Sequence, residues 1–341
     1  MNAKAGRPTL KTISDLTGLA VPTVSRALSG AQDIGAATRT RVQEVAKEIG
    51  YVPNRAGVRL RTGRSYVVSL VLSTEADVMN LTAKLINSVA AGLRGTRYTL
   101  TITPVFPDED PLVPIRNIVE TRAADAIILN QTLPEDPRII YLMEQGFPFA
   151  THGRTNYASQ HDYYDFDNRA LGRIAVKRLT ARGRSKFLLL APPRNQFYGM
   201  EVIAGAQAEA DMAGVSLKLV EGATSDSPAA EIEEAVTPLL ERSGYGADAI
   251  ISGSSASCMA CVTAMETLGL TVAKDVDIFA KEAMPFLTKF RPGILTQFED
   301  AYAAGTFLAK AVLRRLESPD EPLMQHLSVP QLPRDWVAQT T

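Results

Sequence analysis

Cationic side chains crowd one end of this chain. Lys4, Arg7, Lys11, Arg26, Arg39, Arg41, Lys47, Arg55, Arg59, Arg61 and Arg64 fall within the first 65 residues, against the four acids Asp15, Asp33, Glu44 and Glu48. That end carries +7; the whole chain carries −1, so the remainder carries −8. The chemistry this suits is recognition of a polyanion: such groups neutralise phosphates, and a guanidinium can also take a base edge by two parallel hydrogen bonds. A charge run also occurs on plain solvated faces, so the local sequence has to decide. A second set of polar residues stands at the ends of apolar runs farther on: Glu75, Asn130, His152, Arg154, Asp165, Arg194, Tyr198, Glu282 and Gln297. This mixture suits hydrogen bonding to a small polar molecule. No nucleophile stands at a persuasive spacing from a base, so an enzyme is not indicated. Cys258-Met259-Ala260-Cys261 has CxxC spacing, but a metal site needs about four ligands and no second Cys or His pair is near. Helix packing is expected there, with no metal and no cofactor.

The elements that must position these residues follow from composition and periodicity. At 341 residues and 45% hydrophobic content, the chain is long enough for two or three domains. No run approaches the roughly 20 apolar residues of a membrane span, and the first residues lack the apolar stretch of a signal peptide, so the cytoplasm is the expected compartment. In the basic end, Leu10, Ile13 and Leu16 are expected to share one helical face, and Val24, Ala27 and Leu28 another. Gly18 between them permits a sharp corner, and Pro22 suits a first helical turn. Val42, Val45, Ala46 and Ile49 form a third pattern that ends at Gly50. Helix, glycine turn, helix, third helix is the helix-turn-helix plan.

Pro8-Thr9-Leu10-Lys11-Thr12-Ile13, Gly18-Leu19, Thr23-Val24-Ser25-Arg26-Ala27-Leu28-Ser29-Gly30 and Gly50-Tyr51-Val52-Pro53-Asn54 stand in an order and spacing that resembles the head of the lactose-repressor (LacI/GalR) family. The resemblance implies that the second helix enters the major groove of DNA. Val21 and Pro22 would lie at its tip against base edges, Arg26 would reach a guanine, and Thr12, Thr23 and Ser25 would meet phosphates or base edges. Two departures are visible. Ala20 stands where the family has a capping Ser or Thr, a loss of about 1 kcal/mol. Val21 and Pro22 can read a base only by apolar contact. Residues 53–64 correspond to the family's hinge, a helix formed on DNA, with Leu60 as the wedge into the minor groove and Asn54, Arg55, Arg59 and Arg61 near phosphates. Gly57 replaces the usual alanine and costs that helix about 1 kcal/mol.

From Tyr66 onward, apolar runs alternate with helical patterns: strands at Val67 to Leu72, Leu100 to Val105, Ala126 to Leu129, Phe187 to Leu190, Ala249 to Ile251 and Val276 to Phe279. This implies α/β architecture with parallel sheets. The resemblance adds a body like a periplasmic sugar-binding protein: two Rossmann-like lobes, a ligand cleft, and three chain crossings, near Asp167-Asn168, Pro292 and Met324. In the second lobe the family carries an arginine and an aspartate that clamp sugar hydroxyls. Here Val202 and Ser255 stand in their places, and the usual Phe-Asp-Asp step reads Lys281-Glu282-Ala283. A sugar must then be held by other groups, with Asn130, His152, Asp165, Glu282 and Gln297 as candidates. Arg154 and Arg194 serve if the ligand is anionic; otherwise Arg154 is expected to brace the lobe through Asp167. Phe166, Phe197 and Tyr198 either stack on a ligand or belong to the core, and His152 is either structural or ligand-binding.

The expected organisation is a helix-turn-helix head at 1–52, a hinge at 53–64 and a two-lobed body at 65–341. The first lobe would hold 65–167 and 293–324, the second 168–292 and 325–341. The resemblance implies a transcription regulator, a repressor, that binds pseudo-palindromic operator DNA as a homodimer and answers to a carbohydrate-class effector. A solute-binding protein or sugar-processing enzyme of related fold is the alternative; the first would not carry Thr23-Val24-Ser25-Arg26, and the second would show turnover.

Overall fold

A computed structural model describes residues 7–52, 57, 59, 62–74, 81–106 and 108–331. The chain divides into two compact units, Met1–Ser65 and Tyr66–Thr341. The first contains α1 (Leu10–Thr17), α2 (Val21–Leu28) and α3 (Ala36–Glu48). Thr9 and Thr12 form a reciprocal capping box at the start of α1, which satisfies two backbone donors that the helix leaves open. Gly18 follows with φ +70°, a left-handed corner that a side chain would strain. α2 starts at Ala20 with no side-chain cap and with Pro22 in its first turn. Ile13, Val24, Ala27, Val42 and Ala46 close the small core. Leu16, expected to join them, is 57% exposed. Thr17 takes the inward position, where its hydroxyl donates to the carbonyl of Ile13 at 2.7 Å.

The second unit runs β1 (Val67–Ser73), α4 (Ala83–Gly92), β2 (Thr99–Val105), α5 (Leu112–Thr121), β3 (Ala126–Leu129), α6 (Pro137–Glu144), β4 (Phe149–His152) and β5 (Asp162–Phe166). It continues with α7 (Asn168–Thr180), β6 (Lys186–Leu190), α8 (Phe197–Ala213), β7 (Ser216–Leu219), α9 (Ala229–Leu240), β8 (Ala249–Ser252), α10 (Ser255–Thr267), β9 (Asp277–Glu282) and α11 (Leu287–Phe290). It ends with β10 (Leu295–Phe298), α12 (Ala301–Glu317) and β11 (Gln325–Ser328). The strands form two sheets, in orders β11-β5-β4-β3-β1-β2 and β10-β9-β8-β6-β7, and every pairing is parallel. Each sheet has helices on both faces, which is why strands such as Ala126–Leu129 and Ala249–Ser252 are buried throughout.

Two expected crossings move. β10 pairs with β9 of the second sheet, so the chain returns to the first lobe only at Glu299, not near Pro292. α12 then packs on the first lobe through Ala304, Leu308 and Val312. β11 pairs with β5, so residues 325–328 belong to the first lobe and the chain does not cross at Met324. The cause is strand pairing: Leu295 to Phe298 find backbone partners along Phe279 to Glu282, and leaving them elsewhere would orphan those groups.

In the second lobe α7 and α8 touch backbone to backbone. A Cβ on Gly172 would lie 2.3 Å from the Val202 carbonyl oxygen, and one on Gly205 would lie 2.0 Å from that of Arg169. Only glycine permits this approach, and it fixes where the start of α8 meets the rest of the molecule.

Candidate functional site

In the head, α2 buries Val24 and Ala27 and leaves Val21, Pro22 and Arg26 exposed, with Thr23 and Ser25 half-buried. Val21, Pro22, Ser25 and Arg26 are spaced to share the face opposite that core. Arg26 forms an ion pair with Asp33, both more than half exposed, so the guanidinium stays accessible. Thr12 is occupied in the α1 cap. Arg59 is exposed. Asn54, Arg55 and Leu60 lie outside the described residues, as does Glu75.

In the body, a cleft of about 720 Å³, open mouth included, lies between the carboxyl ends of the two sheets. Parallel α/β sheets place ligands at this edge because strand ends and helix starts leave polar backbone groups there. The first lobe lines it with Thr82, Asn130, Gln131, His152, Gly153 and Asp165; the second with Asn168, Tyr198, Ser225, Asp226, Ser254 and Lys281; Glu299 stands at the crossing. Four expected residues are therefore present: Asn130, His152, Asp165 and Tyr198.

The others are elsewhere. Arg154 lies behind the lining and pairs with Asp165 at 2.7 Å, not with Asp167. Asp167 instead caps α7 by accepting from the Ala170 amide at 2.9 Å. Arg154 also sits 3.8 Å from Glu201 and 5.7 Å from the Phe197 ring centroid. Arg194 pairs with Glu221 at 2.8 Å and donates to the Val220 carbonyl, outside the cleft. Glu282 is buried and accepts from the amides of Phe286 and Leu287, so it holds the turn after β9. Gln297 lies on β10 beside Lys281 and does not line the cleft. Phe166 is a core residue. Val202 packs in the same cluster, and Ser255 is buried at the first position of α10.

Lys281 and Glu299, like Thr82, Ser225 and Asp226, line the cleft without having been among the expected site residues. Lys281 Nζ is 2.6 Å from Glu299 Oε2, and His152 Nε2 is 3.6 Å from Glu299 Oε1. Lys281 also donates to Asn168 Oδ1 at 3.2 Å. Its ammonium stands 5.2 Å from the Phe166 ring centroid and 5.7 Å from that of Tyr198, within cation–π range. Burial alone would raise the Glu299 carboxyl, but Lys281 and His152 outweigh it and hold it down at about 2. Burial raises the Asp165 carboxyl against the pull of Arg154. Burial, with Asp226 nearby, pushes the Tyr198 phenol well above its ordinary range, so it stays protonated and donates to Asp226 at 3.4 Å. Asn130 is 5% exposed, and its Oδ1 has no hydrogen-bond partner among the described residues. Cys258 and Cys261 are buried in α10, and burial pushes the Cys261 thiol up to about 12, which leaves it protonated and inert. The signal that would have found Glu299 is strand length: β10 runs one residue past Gln297, to Phe298, and Glu299 is the first residue beyond its carboxyl end.

Comparison with known proteins agrees with both parts. Residues 9–54 match the family model described as bacterial regulatory proteins, lacI family. The HTH-type transcriptional regulator RafR of Escherichia coli is 35% identical over 204 residues; the match covers 59% of this chain and 60% of RafR. A transcriptional regulator CelR–cellobiose complex superposes with a TM-score of 0.68 at 23% identity, covering 96% of this chain and 98% of that one. The lac repressor dimer bound to operator and the anti-inducer ONPF gives 0.81 at 17% identity, covering 95% and 97%. Among the described residues no helix is long and apolar enough to cross a membrane. The head, residues 9–54, thus matches the lacI family model, and the two-lobed body shares the fold of the lac repressor and CelR structures.

Proposed function

We propose that the chain is a sequence-specific transcription regulator, a repressor, whose operator affinity is set by a carbohydrate or carbohydrate derivative held in the cleft. It works in the cytoplasm as a homodimer and acts by binding, without turnover. The observation that carries this reading is the presence in one chain of a basic helix-turn-helix head and a cleft lined by directed donors and acceptors from two lobes. A buried sugar hydroxyl left unpaired costs about 1–3 kcal/mol, so a cleft this rich in hydrogen-bonding groups suits a polyol. The CelR relative is bound to cellobiose and the lac repressor is a dimer on operator DNA, which supports the same classes of partner here.

In this reading residues 1–52 are the head, 53–64 the hinge and 65–341 the body. Val21, Pro22 and Arg26 read bases; Thr12, Thr23, Ser25, Asn54, Arg55 and Arg59 hold phosphates or base edges; Leu60 wedges into the minor groove. The test is selection from random duplex DNA followed by binding and melting assays with sugars, polyols and sugar phosphates. One palindromic sequence should be enriched, and a sugar should both raise the melting temperature and change operator affinity. A purine doing so in their stead would leave the regulator and remove the carbohydrate; formation of a sugar product would favour the enzyme alternative.

A further inference from the structure

The cleft is rich in acceptors and poor in free cations. Glu299, Asp165 and Asp226 place three carboxylates along it, and the Asn130 side-chain oxygen is buried without a partner among the described residues. Among the described residues, the cations near the cleft are already engaged. Lys281 is held by Glu299 and Asn168, and Arg154 by Asp165 and Glu201. Arg194 is held by Glu221, and Lys84 donates to the Ala283 carbonyl. The open positions therefore ask for hydrogen-bond donors without negative charge.

We propose that the effector is an uncharged polyhydroxylated sugar, anchored by the buried Lys281–Glu299 pair together with Asn130. These groups replace the Arg–Asp clamp whose positions Val202 and Ser255 occupy. The inference rests on the carbohydrate reading of the cleft and narrows it. Two neighbouring hydroxyls donate to the Glu299 carboxylate, the Lys281 ammonium donates to a sugar oxygen, and a further hydroxyl donates to Asn130 Oδ1. Because one charged pair serves as both acceptor and donor, it matches a hydroxyl, which is also both. A phosphate or a uronate would set like charge beside Glu299, Asp165 and Asp226 with no free cation to meet it, so such derivatives are rejected.

Isothermal titration calorimetry of the full chain tests this with glucose, galactose, maltose, lactose and cellobiose beside glucose 6-phosphate and glucuronate. At least one neutral sugar should bind, and the two anions should bind at least about 100-fold more weakly. That neutral sugar should lose at least about 30-fold in affinity to Asn130→Ala and to the double variant Lys281→Gln/Glu299→Gln. The double change leaves no lone buried charge, and circular dichroism with cooperative melting checks that it folds. Should it not fold, Asn130→Ala decides alone. An anionic sugar that outbinds its neutral parent overturns the proposed class, and undiminished neutral binding in the variants overturns the anchor; both leave the carbohydrate reading standing. If no sugar of either kind binds, the proposal and that reading fall together.

Discussion

Both lobes turn the carboxyl edge of a parallel sheet toward the cleft, yet they deliver different groups. The first lobe sends Asn130, His152 and Asp165 from the ends of three adjacent strands, β3, β4 and β5. The second sends Tyr198, Ser254 and Lys281, while Val202 and Ser255 are not among the residues that line it. Val202 is packed among apolar side chains and Ser255 is buried at a helix start. A position that faces a core can hold only what a core accepts. The groups that line the cleft therefore come from strand ends and the crossing, not from these two positions.

Four measurements can break or sharpen this contrast. Lys281→Met should have the largest effect: it leaves Glu299 buried with only His152 beside it, which costs about 3 kcal/mol and should appear as a large drop in denaturant midpoint. Wild-type stability in that variant would show that the second lobe does not hold the crossing. Val202→Arg should destabilise by about 3 kcal/mol, since it puts a cation into a packed apolar cluster. If the variant instead melted like wild type and bound sugar more tightly, position 202 would open on the cleft and the contrast between the lobes would fail. The third test is acid. Glu299 titrates at about 2 instead of 4.5, so its stabilisation is complete above pH 4.5 and is lost as pH falls from there through about 2. The double variant Lys281→Gln/Glu299→Gln should lose that part of the acid slope of the melting temperature; an unchanged slope would refute the pairing. The smallest effect belongs to Glu201→Gln, which removes the 3.8 Å approach of Arg154 across the lobes together with the 3.0 Å pair with Arg169. At that distance and exposure it is worth about 0.5–1 kcal/mol and should weaken effector binding by a factor of a few, read by titration.

The head was legible because its signals are local. Gly18, Pro22 and the spacing of Ile13, Val24 and Ala27 each act within a few residues, and the helices form where that pattern puts them. The exception, Leu16, was misread because a three-residue spacing drifts around the helix, and Thr17 reaches the core instead. The strands of the body were legible from apolar runs, but their sheet membership was not. β10 and β11 carry no mark of which sheet they join; pairing across distant sequence decides it. The cleft suffered for the same reason. Alternate residues of a strand face opposite ways, so choosing Glu282 over Lys281, or Gln297 over Glu299, was a matter of one or two positions at a strand end. Asn130, His152 and Asp165 were found because their strands are central and their ends well marked. Arg154 was read as a brace, and its partner proved to be Asp165, which no spacing singles out.

The glycine contact between α7 and α8 has a mechanical consequence. Two helices with their backbones in contact have no side chains between them to compress or reorient, so they resist shear far better than an ordinary packed pair. Asn168 and Arg169 open one helix and Tyr198 and Glu201 begin the other. Those four residues therefore travel as a single lever. Glu201 in turn stands 3.8 Å from Arg154 of the first lobe, so this end of the second lobe also meets its neighbour across the lobes. Widening the joint with Gly205→Ala would loosen the lever at its fulcrum and leave each end free to move by itself.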